Sequence, residues 1–223
     1  MKTTKFIIVA VLSITAVSFL ISCEKAQSQQ KYMTALVTYE DLSSGVIFQL
    51  DDSTKLVPTN LNTGLYNHKT VRAIVKYLPV LDDGVDNKVK VFSVDSIRTK
   101  KAVPDMGIEN DETYGKDKIE IIRDWVTVGE DGYLTLRIRT YRSCMAAIHY
   151  VNLVSLGYEN GEYIYELRHD ARGDSEDRVA DGLIAFDLNE LAPEDRSAVT
   201  LHLKWEGFTE SKTADFRLTF RRP

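Results

Sequence analysis

From residue 33 onward apolar and polar positions alternate with a period of two, the pattern of strands that set one face on a core and the other in water. In 71–77 Arg72 and Lys76 punctuate apolar residues, and in 88–91 Lys88 and Lys90 alternate with Val89 and Val91. Segments 33–40, 45–51, 70–80 and 88–99 are rich in Val, Ile, Tyr and Phe, residues suited to a pleated surface. A shorter strand is expected at 55–58. Ser43-Ser44-Gly45, Asp51-Asp52-Ser53 and Asp82-Asp83-Gly84 supply turn chemistry where hairpins should close. Five strands in this span predict a small β-barrel over 33–103.

Residues 104–118 hold Pro104, Gly107, Gly115 and several acids, and read as a linker. Beyond them, 119–128 and 133–142 predict a hairpin about Gly129-Glu130-Asp131-Gly132, with Leu134, Leu136 and Ile138 alternating against Thr135, Arg137 and Arg139. Strands follow at 147–156, 162–169, 182–188, 199–206 and 214–221. That rhythm of short strands predicts an antiparallel β-sandwich over 119–223. The one helical stretch, 189–196, is interrupted by Pro193 and amounts to a turn. No βαβ alternation occurs, which excludes a parallel nucleotide-binding sheet. The fold class is all-β.

The N-terminus is different. Lys2 and Lys5 precede an almost wholly apolar run from Phe6 to Ile21, the form of a secretory signal peptide over 1–22. At about sixteen residues the run is shorter than a bilayer-spanning helix requires. Leu20-Ile21-Ser22-Cys23 resembles a bacterial lipobox, so Cys23 is the expected lipidation site, joined to membrane lipid through its thiol. Multiple acyl chains at roughly 0.8 kcal/mol per buried methylene make such an anchor stable. Glu24, rather than Asp, follows the cysteine, which favours the outer membrane of the cell envelope. Residues 23–32, with Gln27, Gln29 and Gln30, read as a tether.

Charge narrows the partners. The chain carries −5, and loss of Lys2 and Lys5 with the leader leaves −7, so nucleic acid is not an expected partner. With Cys23 lipidated, Cys144 has no partner for a disulfide and is expected to be buried and inert.

Several stretches together resemble the NigD-like lipoproteins, a family of Gram-negative gut anaerobes. They are the lipobox at Cys23, 46–52 with Leu56-Val57-Pro58, 71–77, 94–100, 125–136, 149–154, 166–169, 186–188 and 201–205. The resemblance implies an N-terminal OB-like five-stranded barrel followed by a C-terminal β-sandwich. It also implies the role that the family name suggests, bacteriocin production or immunity, but no catalytic residues.

Candidate chemistry is sparse. An OB-like barrel can bind oligosaccharides across one face, and Tyr66, His68 and Tyr77 are the residues that could stack on a sugar. His149 and Asn152 lie three apart on a strand and should face opposite ways. His149 and His169 could meet across neighbouring strands, but two histidines do not make a zinc site. Asp170, Asp174, Glu176, Asp177 and Asp181 lack the spacing of a calcium loop and read as a solvated acidic loop, neutralised in part by Arg168, Arg172 and Arg178. Arg172-Gly173-Asp174 is too short a string to carry adhesion. No nucleophile elbow or convergent triad is legible. The expectation is a non-enzymatic envelope lipoprotein without metal or cofactor, binding an envelope protein or peptide, with immunity and glycan binding as the alternatives.

Overall fold

A barrel of short strands closes when one face of each can be filled with apolar side chains. In the computed structural model Val37, Tyr39, Phe48, Ala73, Val75 and Val89 do this. The structure describes residues 32–51, 53–61, 64–80, 87–194 and 198–221. The signal peptide, Cys23, the tether up to Lys31, the turn at Asp82-Asp83-Gly84 and residues 195–196 of the short helical stretch lie outside them. No described helix is long and apolar enough to cross a membrane.

The barrel strands are β1 (Met33–Leu42), β2 (Gly45–Gln49), β3 (Lys55–Pro58), β4 (Val71–Pro79) and β5 (Lys88–Ser96), closed in the order β1-β2-β3-β5-β4. The β3–β5 join is parallel and the others are antiparallel. Strand β1 is buried on both faces. Val37 and Tyr39 fill the barrel, while Leu36 and Thr38 turn outward and are covered as well.

What covers them is the second sheet. It contains β6 (Arg98–Lys101), β7 (Val103–Pro104), β8 (Glu120–Ile122), β9 (Val128–Glu130), β10 (Tyr133–Arg142), β11 (Tyr150–Glu159), β12 (Glu162–Asp170), β13 (Arg178–Asp187), β14 (Ala198–Glu206) and β15 (Ser211–Thr219). The order is β6-β13-β10-β9-β15-β14-β12-β11-β7, with β8 also on β10. The core joins Leu134, Leu136 and Phe186 from one end of this order to Leu153, Leu167, Leu201 and Leu203 from the other, so the sheet folds on itself as a sandwich. Each such fully buried leucine contributes about 1.5–3 kcal/mol.

The sandwich departs from the expectation in three places. It is mixed, since β12–β14, β6–β13 and β7–β11 pair in parallel. The expected strand over 119–128 breaks at a turn, where Asp124 accepts hydrogen bonds from Val126 and Thr127, leaving β8 and β9 on either side. The boundary also lies earlier than 104–118. Strand β6, placed with the barrel from sequence, pairs with β13, and β7 pairs with β11. The expected linker holds a 3-10 turn (Gly107–Glu109) and α1 (Asn110–Tyr114), tied by Asn110 Nδ2 donating to Asp105 Oδ1 at 2.6 Å. The stretch at 189 is a 3-10 turn, Asn189–Leu191.

Barrel and sandwich share buried contacts. Arg72, enclosed on β4, donates Nη2 to Glu130 Oε1 at 2.6 Å and Nη1 to Thr38 Oγ1 at 2.9 Å. Arg221 reaches Asp131 Oδ2 through Nη2 at 2.8 Å and also pairs with Glu40 of β1. Leu36, Ile97 and Ala185 form an apolar cluster between the two sheets.

Candidate functional site

The β10–β11 connection, residues 143–149, is anchored at both ends. Strand β10 delivers Ser143, whose backbone N–H donates to Asp174 Oδ2 at 3.0 Å and whose hydroxyl donates to the other oxygen of that carboxylate. At the far end His149 Nε2 lies 2.9 Å from Asp174 Oδ2, and its Nδ1 lies 2.9 Å from His169 Nε2 on β12. His169 Nδ1 in turn lies 3.1 Å from the Lys118 carbonyl oxygen. Within the loop Arg142 donates Nη2 to the Ala147 carbonyl at 2.6 Å.

Hydrogen-bond bookkeeping assigns the protons. A carbonyl oxygen only accepts, so His169 carries hydrogen on Nδ1. Burial lowers the pKa of His169, which keeps the ring neutral and leaves Nε2 as an acceptor. His149 Nδ1 is then the donor of that bond, and its Nε2 faces the Asp174 carboxylate. The Ser143 hydroxyl, His149 and the Ser143 amide hold the Asp174 carboxyl far below the usual carboxylate range. Ser143 spends its hydroxyl proton on a carboxylate rather than on a histidine, so the set is a structural clamp and not a nucleophile–base pair.

The clamp presents apolar side chains to water. Met145 is 67% exposed and Ile148 65%, and Tyr150 and Val179 are exposed as well. Val179 pairs across from Tyr141 at the end of β10. Cys144 lies on the same loop and is exposed. This corrects the expectation of a buried thiol: the tertiary path of the loop turns it outward. A hydrogen bond from the Ala146 amide lowers its pKa.

Other expected residues fall differently. Asp174 and Asp181 do not belong to a solvated loop. Asp181 lies within β13, where Arg139 and Arg137 both donate to it and hold its pKa at about 2. Arg168 pairs with Asp111 at 2.6 Å and Glu166 at 3.1 Å, and Arg172 donates to Tyr150 Oη at 3.3 Å. With Asp174 committed inward, Arg172-Gly173-Asp174 is not a free tripeptide. On the barrel Tyr77 is core, and Tyr66 packs edge-on to Tyr39 with its hydroxyl donating to the Val94 carbonyl at 3.2 Å. Only His68 of the three is exposed, beside Asp41, so these residues make no stacking row.

One grouping was missed from sequence. Glu162, His202 and Asp215, on β12, β14 and β15, bring ligand atoms within 4.8 Å of one another. His202 and Asp215 face each other across an antiparallel pair, which alternation alone could have shown. Glu162 comes from a parallel join, which it could not.

Comparison with known proteins places this geometry. Residues 34–97 match the model of the NigD-like N-terminal OB domain, and 101–218 that of the NigD-like C-terminal β-sandwich domain. The change of model between 97 and 101 falls where the chain leaves the barrel for β6. Among solved structures, one named as toxin-related, from Parabacteroides distasonis, is 25% identical, with a TM-score of 0.71 over 85% of this chain and 94% of that one. A NigD-like immunity protein from Bacteroides caccae is 16% identical, with a TM-score of 0.65 over 84% of this chain and 97% of the other. A protein named as a lipoprotein, from Bacteroides fragilis, is 12% identical, with a TM-score of 0.56 over 86% and 99%. The last two likenesses establish the fold alone. A search of curated proteins returns no match. Both halves are matched, in order and nearly end to end, and the chain belongs to the NigD-like family.

Proposed function

We propose that this protein is a cell-envelope lipoprotein, anchored to membrane lipid through Cys23, that works by binding a protein or peptide partner and not by catalysis. The observation that carries the reading is the clamped loop at 143–149. Its Met145 and Ile148 are held in water by hydrogen bonds at both ends. Ordering an apolar loop beforehand removes part of the entropy cost of association, which is how a preorganised surface gains affinity. The lipobox supports the anchor, as does a structural neighbour named as a lipoprotein. Glu24 after Cys23 favours the outer membrane.

A photo-crosslinking residue placed at 145 or 148 in intact cells tests this. The expected result is one protein or peptide adduct at both positions, absent from a control at Thr213 on the exposed face of β15 and lost with Cys23→Ala. Equal labelling at 213, or no adduct at 145 and 148, overturns it.

Immunity is the second reading, favoured by structural neighbours named as an immunity protein and as toxin-related. The partner would then be a toxic peptide. A deletion strain with unchanged bacteriocin sensitivity counts against it.

A further inference from the structure

Trp125 stands 59% exposed at the turn that separates β8 from β9. Asp124 forms that turn, accepting from Val126 N at 3.1 Å on Oδ1 and from Thr127 N at 3.2 Å on its carbonyl. The indole, Ile74 of the barrel and Leu183 of β13 are apolar walls of a cleft of about 310 Å³ at the junction of the two sheets. That volume lies at the lower end of the range for small-molecule sites.

The polar end of the cleft is ordered. Arg137 donates Nη1 to Asp124 Oδ2 at 2.8 Å, and Nε and Nη2 to Asp181 Oδ2 at 3.0 and 2.7 Å. Arg139 donates Nε to Asp181 Oδ1 at 2.6 Å. Two cations and two anions cancel, so the cleft favours neither an anionic nor a cationic ligand. Each Nη of Arg137 keeps a second N–H beyond these bonds, and the carboxylates keep lone pairs. Donors and acceptors therefore stand side by side next to an exposed aromatic face.

An uncharged pyranose matches that array. One of its faces is C–H and packs on an indole by dispersion, while each rim hydroxyl both donates and accepts. We propose that this cleft binds an uncharged saccharide, with Trp125 as the stacking platform and Asp124, Arg137 and Asp181 as the hydroxyl partners. The site shares no residue with the loop at 143–149 and stands whether or not that loop binds a protein.

The test is titration of the full chain with maltotriose, mannotriose and chitotriose, followed by tryptophan emission and calorimetry. The chain has two tryptophans, and Trp205 is buried, so Trp205→Phe keeps the emission change and Trp125→Phe loses it. Trp125→Ala is expected to weaken binding about tenfold or more with its melting midpoint unmoved, and Arg137→Gln to weaken it as well. No response to any of the three sugars, or an affinity unchanged in Trp125→Ala, overturns the proposal. So does a response confined to an aromatic peptide.

Discussion

Arg72 Nη2 of the barrel lies 2.6 Å from Glu130 Oε1 of the sandwich, with the arginine side chain fully enclosed. A buried cation whose partner is removed costs far more than the pair contributes, because the charge stays desolvated. Glu130→Ala is therefore expected to destabilise the chain by about 3 kcal/mol or more, and Arg72→Met by less. Urea unfolding of the two variants checks the order, and equal losses would contradict it.

The clamp predicts local dynamics. With Asp174→Ala, the Ser143 amide loses its acceptor and His149 Nε2 loses its partner. Hydrogen exchange at residues 143–149 should accelerate about tenfold or more, while amides in the middle of β10 keep their protection. Uniform acceleration would mean that the whole sandwich had loosened instead.

Asp181 sets an acid limb. Its pKa of about 2 lies below the roughly 3.9 of an unfolded aspartate, so the ionised form is stabilised by folding. That stability is full above the unfolded value and is lost as pH falls through the folded one. Asp181→Asn should flatten the stability curve between about pH 4 and 2. A limb identical to the parent's would place the acid sensitivity elsewhere.

Cys144 should react in the native state. The thiol is exposed and its pKa is lowered by the Ala146 amide. Iodoacetamide is expected to modify it without denaturant, and at neutral pH faster than a free cysteine of ordinary pKa. Protection until unfolding would contradict the loop's outward path.

Gly115 closes α1 against β12 with φ +78°, and a Cβ there would lie 2.4 Å from the His169 carbonyl oxygen. Gly115→Ala should cost more than about 1 kcal/mol, combining backbone strain with a clash against fixed main chain. A thermal melt measures it.

Alternation in sequence located nearly every strand and the order barrel-then-sandwich, because period-two burial is a local property. It misplaced what depends on distant pairing. Arg98–Lys101 reads as a continuation of β5, and only its partner β13, some eighty residues on, shows that it belongs to the other sheet. The clamp was half visible: His149 and His169 could be set on neighbouring strands, but Asp174 looked like one more loop acid. Its role comes from a tertiary approach to Ser143 that no spacing encodes. Trp125 lies inside a run that reads as an unbroken strand, and the turn exposing it is made by Asp124, a residue with a strong turn preference.

The contacts between the sheets also order events in time. The last barrel strand ends at Ser96, but Arg72 must wait for Glu130, and Glu40 waits for Arg221, which follows the final strand. As the polypeptide is delivered in sequence, the barrel emerges with its charges open to solvent and acquires its counterions only when the sandwich arrives. A chain clipped after β14 would keep Glu130 for Arg72 but leave Glu40 without Arg221. A protease would find there a region that the finished molecule conceals.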